Sequence, residues 1–127
     1  MSLVRILWVD DNPKYESIVK SYEKLYPAVK VDFANTNIAA LERAHTRHYD
    51  VVVYDMSMQM STGGDVPRHI KNIQDGVFLI AKSAAAAYIE DLPPCFDAKV
   101  TVLDIRPFVP EQDLFVRILT DQGFVLR

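Results

Sequence analysis

An α/β fold, in which a doubly wound five-stranded parallel sheet carries helices on both faces, is predicted by three features of this 127-residue sequence. Short, strongly apolar runs, Val51-Val52-Val53-Tyr54 above all, read as strands buried on both faces, the kind that parallel sheets contain. Such runs alternate five times with segments of helical period, and that alternation implies parallel strands joined by right-handed crossovers. The runs also give way to charged or polar residues, among them Asp10-Asp11, Asp55, Lys82-Ser83 and Arg106. In open α/β sheets ligands bind outside the carboxyl ends of the strands, so these endings mark the candidate site.

The first strand is Val4–Val9. Asp11-Asn12-Pro13 starts a helix, with polar cap candidates and then a proline near the first helical position. Ile18, Tyr22, Leu25 and Tyr26 supply its apolar stripe, and Pro27 stops it. Val29–Ala34 alternates apolar and polar residues, as suits a peripheral strand. Asn35, Thr36 and Asn37 offer caps for a second helix whose inner face is expected to hold Ile38, Leu41 and Ala44 or His45. After the central strand Val51–Asp55, Gly63-Gly64-Asp65 punctuates a loop and caps a third helix, with Val66, Ile70 and Ile73 inward and Pro67 tolerated in the first turn. Val77–Ala81 is the fourth strand, residues 84–91 form a short, weakly patterned fourth helix, and Val100–Ile105 is the fifth strand. Pro110-Glu111 opens the last helix, with Leu114, Phe115, Ile118 and Leu119 facing inward.

Residues 1–127 read as one domain, a length that buries about two-thirds of the unfolded chain's surface. Half of the residues are hydrophobic and 24% are charged, ordinary values for a globular protein. The net charge of −3 gives no electrostatic case for direct nucleic-acid binding or for attachment to a membrane surface. Cys95 is the single cysteine, which excludes an internal disulfide and fits a reducing compartment. No apolar run nears the ~20 residues of a membrane span, and no signal peptide opens the sequence. A cytoplasmic location is therefore expected.

Two adjacent buried strands that end in Asp10-Asp11 and Asp55 would bring three carboxylates to one rim of the sheet. Like charges that close repel and raise one another's pKa, and a bound cation relieves this. Each residue alone has a plainer reading. Asp10 and Asp11 serve equally well as helix caps, Ser83 as a turn residue, and Arg106 as the partner of Asp104 or Asp10 in a structural ion pair. His45 and His48, three apart on the second helix, lack a carboxylate partner and read as flanking that helix's inner face, and His69 reads as a surface residue.

Together, these residues resemble the receiver domain of bacterial two-component response regulators, over essentially the whole chain. The matching features are the acidic pair after strand 1, the lone aspartate after strand 3, a hydroxyl residue after strand 4 and a basic-Pro-Phe after strand 5. The resemblance implies a flavodoxin-like (CheY-like) sheet of order 2-1-3-4-5. It also implies that Asp55 accepts a phosphoryl group from a histidine kinase or phosphotransfer protein. Asp10, Asp11, Asp55 and the carbonyl of Ser57 would hold Mg²⁺, whose taste for hard oxygen ligands explains the residue types. Ser83 would hydrogen-bond the phosphoryl group and Arg106 would pair with it. Partner binding, an output domain or homodimerisation would use the face made by the fourth helix, fifth strand and fifth helix. The chain would modify itself and turn over no external substrate.

Four positions depart from the family's pattern. Arg106 replaces a lysine, Ser83 a threonine, Gln59 a proline, and Leu103 an aromatic residue. Lys82 could stand in Ser83's place if the register shifts by one, and from its position next to Ser83 its ammonium is expected to assume part of the missing strand-5 lysine's role. Restoring lysine at 106 is expected to speed phosphorylation. The alternative is a degenerate receiver, a protein-binding module that works without phosphorylation. An aspartate-based phosphohydrolase is disfavoured because no second acid follows Asp55 by two residues, and dinucleotide binding because no G-x-G-x-x-G follows the first strand.

Overall fold

The computed structural model describes residues 2–58, 65–84 and 93–127. Five strands run parallel in the order β2-β1-β3-β4-β5: β1 Val4–Val9, β2 Val29–Ala34, β3 Val51–Asp55, β4 Phe78–Ser83 and β5 Ala98–Thr101. Four helices are described: α1 Lys14–Leu25, α2 Asn37–Thr46, α3 Val66–Ile73 and α4 Leu114–Asp121. α1 and α4 cover one face, where Trp8, Val53 and Ile80 meet Val19, Tyr22, Phe115 and Leu119. α2 and α3 cover the other, where Leu7, Val52, Tyr54 and Leu79 meet Ala40, Ala44 and Ile70. β1, β3 and β4 lie between the two helical layers, which is why their sequences are mostly apolar, with Arg5 the exposed exception on β1. No described helix is long and apolar enough to cross a membrane.

Side chains alternate along each strand, so residue parity decides which layer a side chain enters. Even positions on β1 and odd positions on β3 face α1 and α4, as do the even positions of β4. This rule also assigns the polar residues that end the strands.

Several sequence expectations need correction. The inner stripe of α1 runs through Val19 and Tyr22, whereas Leu25 is 42% exposed. On α2 the buried residues are Asn37, Ala40 and Ala44, and Ile38 points to solvent at 71% exposure. Asn37 displaces the isoleucine because its amide is satisfied inside: it accepts from the Tyr54 hydroxyl at 2.7 Å and donates to the Met58 carbonyl at 3.1 Å. β5 lies at Ala98–Thr101 rather than Val100–Ile105, because Asp104 folds back on its end. The Asp104 carboxylate accepts the Thr101 N–H at 2.9 Å and hydroxyl at 3.0 Å, turning Val102–Asp104 into a 3-10 turn. Leu103 is thereby 70% exposed. Pro110–Gln112 is a separate 3-10 turn, and Asp113 caps α4 by accepting the Val116 N–H at 3.3 Å. The helix expected over 84–91 falls, apart from Ala84, outside the described residues, as do Gln59 and Gly63-Gly64.

Two polar devices hold the elements in place. Gln74, buried just after α3, accepts the Tyr49 N–H at 2.8 Å and donates to the Ala44 and Arg47 carbonyls at 2.7 and 2.6 Å. It ties the end of α3 to the end of α2 and the approach to β3. On edge strand β2, one oxygen of Asp32 accepts from the Tyr49 hydroxyl at 2.6 Å and from Arg47 at 3.1 Å, with Arg43 at 3.8 Å. Partial burial pushes this carboxyl up, but the Tyr49 hydrogen bond and the two guanidinium charges outweigh it and hold the pKa below the ordinary 3.8.

Replacing Gln74 by leucine leaves buried backbone groups without partners, each at a cost of about 1–3 kcal/mol. Urea unfolding of Gln74→Leu should show a lower midpoint at unchanged slope. A carboxylate with a depressed pKa contributes stability that is complete above 3.8 and lost as pH falls through the lower folded-state value. The stability gap between wild type and Asp32→Asn should accordingly be flat near neutrality and close in acid; a gap independent of pH would contradict the assignment.

Candidate functional site

The carboxyl ends of β1, β3 and β4 converge at the centre of the sheet. β1 delivers Asp10, fully buried, and Asp11, exposed, while β3 ends in buried Asp55. One carboxylate oxygen from each of the three lies within 4.8 Å of the others. Among the described residues this is the one group of three or more acidic, histidine or cysteine side chains so arranged.

Two turns fix the carboxylates. Asp10 Oδ1 accepts the Asn12 N–H at 3.0 Å, and Asn12 Oδ1 accepts the Lys14 N–H at 3.1 Å, so the Asp10-Asp11-Asn12 loop leads into α1. Asp55 Oδ1 accepts the Ser57 N–H at 3.0 Å, which starts the 3-10 turn Met56–Met58. Each bond leaves the second oxygen of its carboxylate directed elsewhere.

The second oxygens meet Lys82. Its ammonium donates to Asp10 Oδ2 at 2.6 Å and stands 3.7 Å from Asp55 Oδ2, with the side chain only 3% exposed. The half-buried ring of Tyr15, in the first turn of α1, covers the ammonium at 3.9 Å from its centroid, a cation–π contact. Register explains this placement. Asp55 on β3 is the direct partner of Lys82 on β4, and both share the parity of Val53 and Ile80, toward the α1–α4 layer. Asp10 has the same parity on β1. Burial raises the Asp10 pKa above the ordinary carboxylate value; the Lys82 and Asn12 hydrogen bonds and the Lys82 charge oppose the rise, and the Asp55 charge adds to it.

Ser83 is one residue farther along β4, paired with Thr101, and by alternation leaves the strand on the α2–α3 side. Lys82, not Ser83, occupies the strand-4 position beside Asp55. Arg106 is also displaced from its expected role. It is exposed, its Nε donates to the Leu103 carbonyl at 2.8 Å and its Nη1 to Gln112 at 2.6 Å. The early end of β5 turns this segment outward, and among the described residues Arg106 makes no ion pair with the three carboxylates or with Asp104. Tyr15 was not singled out in the sequence; its position four before Val19 on the inner face of α1 was the available signal. Ser57 keeps its place two residues after Asp55, exposed at the mouth of the cluster.

The arrangement offers hard oxygen donors from two buried carboxylates and one exposed one, with a single ammonium against three negative charges. An all-oxygen set of this kind suits Mg²⁺ rather than a softer transition metal.

Comparison with known proteins places this geometry. The profile of the response regulator receiver domain matches residues 6–105. A CheY-like response regulator receiver domain protein from Methanospirillum hungatei superposes with a TM-score of 0.74 at 20% identity, covering 94% of each chain. Response regulator protein TrrA from Thermotoga maritima, in complex with Mg²⁺-BeF, superposes with a TM-score of 0.71 at 26% identity over 94% of this chain and 99% of that one. CheY6 from R. sphaeroides, in a structure with the P1 domain of CheA3, gives a TM-score of 0.70 at 22% identity over 95% and 99%. No curated protein matches the sequence significantly. With the matched segment running from Ile6 within β1, through all three carboxylates, to Ile105 just past the turn that follows β5, the chain belongs to the response regulator receiver domain family.

Proposed function

We propose that this receiver is a phosphoacceptor in a cytoplasmic two-component pathway, with Asp55 as the modified residue. The observation that carries the reading is the carboxylate cluster with its single buried cation: three negative charges and Lys82 leave a net −2, which one divalent ion neutralises. The donor set divides by availability. Both oxygens of Asp10 already accept hydrogen bonds, whereas Asp11 is exposed and Asp55 Oδ2 stands beyond hydrogen-bond distance from Lys82. Asp11, Asp55 and the Ser57 carbonyl would therefore be direct ligands, with Asp10 acting through Lys82 and water. When bound, Mg²⁺ supplies neutralisation of the charge on the transferring phosphoryl group. The likeness to TrrA, which was solved in complex with Mg²⁺-BeF, supports Mg²⁺ as the ion.

In the reaction the carboxylate oxygen of Asp55 that the metal does not hold attacks the phosphorus of a phosphohistidine, the P–N bond breaks as the P–O bond forms, and the departing imidazole takes a proton from solvent. The donor is a histidine kinase or phosphotransfer protein, in line with the CheA3–CheY6 pairing of a structural relative. Lys82 replaces both the strand-4 hydroxyl and the strand-5 lysine that the family resemblance leads one to expect. Phosphorylation adds about −1.5 to −2 charges beside its ammonium. Lys82 would then exchange Asp10 for the phosphoryl oxygens, and Tyr15, which rests on that ammonium, would move with it. The chain modifies itself and turns over no separate substrate.

One observation favours a second reading. The Lys82–Asp10 pair is already a complete, buried ion pair, as a degenerate receiver that recognises partners without phosphorylation would have.

Acetyl phosphate or beryllofluoride with Mg²⁺ should yield a stoichiometric adduct, seen by intact mass or ¹⁹F NMR, that Asp55→Asn abolishes. No adduct on the wild-type chain would establish the second reading. Lys82→Met should slow phosphorylation by acetyl phosphate roughly 100-fold, the usual cost of one preorganised charge-stabilising donor. Arg106→Lys should leave the rate within about fivefold, since an exposed pair is worth at most about 1 kcal/mol. A large gain on restoring lysine would place residue 106 back in the site. In stability measurements Lys82→Met should cost about 3–5 kcal/mol, because it strands a buried carboxylate, and Asp10→Asn should recover part of the loss in the double variant.

A further inference from the structure

α2 and α3 lie side by side on the face remote from Lys82, and each presents one histidine at the seam. His45 Nε2 and His69 Nε2 stand 3.1 Å apart, while the ring centroids are 5.2 Å apart and the planes inclined by 64°. The nitrogen-bearing edges therefore converge without the rings stacking. Two neutral imidazoles can share one hydrogen bond at that distance. They can equally present two lone pairs to one ion, because adjacent nitrogens on a tetrahedral zinc, with Zn–N of about 2.0–2.1 Å, are about 3.3 Å apart.

The helices that carry the pair are tied to each other. Gln74 donates to the carbonyl of Ala44, the residue before His45, and the Asp65 carbonyl accepts the His69 N–H within α3. The same glutamine follows α3 directly, so both histidine backbones belong to one hydrogen-bonded frame. Ligands on helices fixed in this way lose little freedom on binding. Both side chains are exposed, so a solvated ion reaches them directly. Among the described residues no carboxylate or cysteine joins them as a third ligand, so water would complete the coordination of an ion held there.

We propose that His45 and His69 form a surface site for a divalent transition metal, Zn²⁺ or Cu²⁺, that staples α2 to α3. Imidazole nitrogens select such ions over Mg²⁺, whereas the carboxylates at the strand ends have the opposite preference. The two sites are thus chemically orthogonal, and occupancy of one does not compete with the other. This proposal does not depend on phosphorylation of Asp55.

The test is titration of the metal-stripped full chain with zinc chloride in excess Mg²⁺, followed by calorimetry and by the histidine ring resonances. One Zn²⁺ per chain should bind, raising the melting temperature and shifting the His45 and His69 resonances together. His48, whose ring lies 3.6 Å from Asp50, is the internal control and should not shift with them. His45→Asn or His69→Asn should each weaken binding by more than about tenfold, since loss even of a group that merely orients a ligand costs that much. Asp11→Asn should leave zinc binding intact. Absence of binding in the wild-type chain, or zinc retained by the double His45→Asn/His69→Asn variant, would reduce the pair to a hydrogen bond and overturn the site.

Discussion

The contact on which the functional end of this molecule depends is the ammonium of Lys82 against Asp10, buried between β1, β3 and β4. A carboxylate taken fully out of water is costly unless it is paired and hydrogen-bonded. Asp10 meets both conditions, one oxygen on a backbone N–H and the other on Lys82. The same ammonium lies close enough to Asp55 to lower the repulsion between the two acids, yet beyond hydrogen-bond distance from it. One lysine thereby makes tolerable a concentration of negative charge that the fold places at its centre.

That concentration is a product of topology. In the order β2-β1-β3-β4-β5, β3 lies between β1 and β4, and all three strands point the same way. Their ends are therefore neighbours regardless of the loops that follow. Parity then selects Asp10, Asp55 and Lys82 for one side of the sheet and sends Ser83 to the other. The α1–α4 layer closes that side with Tyr15 over the ammonium and with the Trp8, Tyr22 and Phe115 rings beneath, Tyr22 donating to Asp113 at 2.6 Å.

Much of this was legible in the sequence. Strands buried on both faces announce themselves as apolar runs, and the residue types at their ends identify the rim where ligands bind. What could not be read was register and satisfaction of polar groups. Whether Lys82 or Ser83 stands beside Asp55 differs by one residue, and only the pairing Asp55↔Lys82 decides it. Periodicity favoured Ile38 over Asn37 because it counts apolar residues, while the chain buries the asparagine whose amide finds partners in Tyr54 and Met58. Gln74 carries no periodic signal at all, although three backbone groups depend on it. Arg106 follows the expected strand in sequence, but Asp104 ends that strand early and the guanidinium turns away.

Trp8 is the sole tryptophan, wholly buried on β1 two residues before Asp10 and on the same side of the sheet. It meets Phe115 of α4 edge-on at 5.1 Å, and among the described residues its indole N–H has no hydrogen-bond partner. Tryptophan fluorescence from this protein therefore originates at a single buried position, between the acidic centre and the final helix. The emission spectrum is a native optical gauge of whether an event at the strand ends propagates into that layer, with no label to attach and no competing chromophore of its kind to subtract.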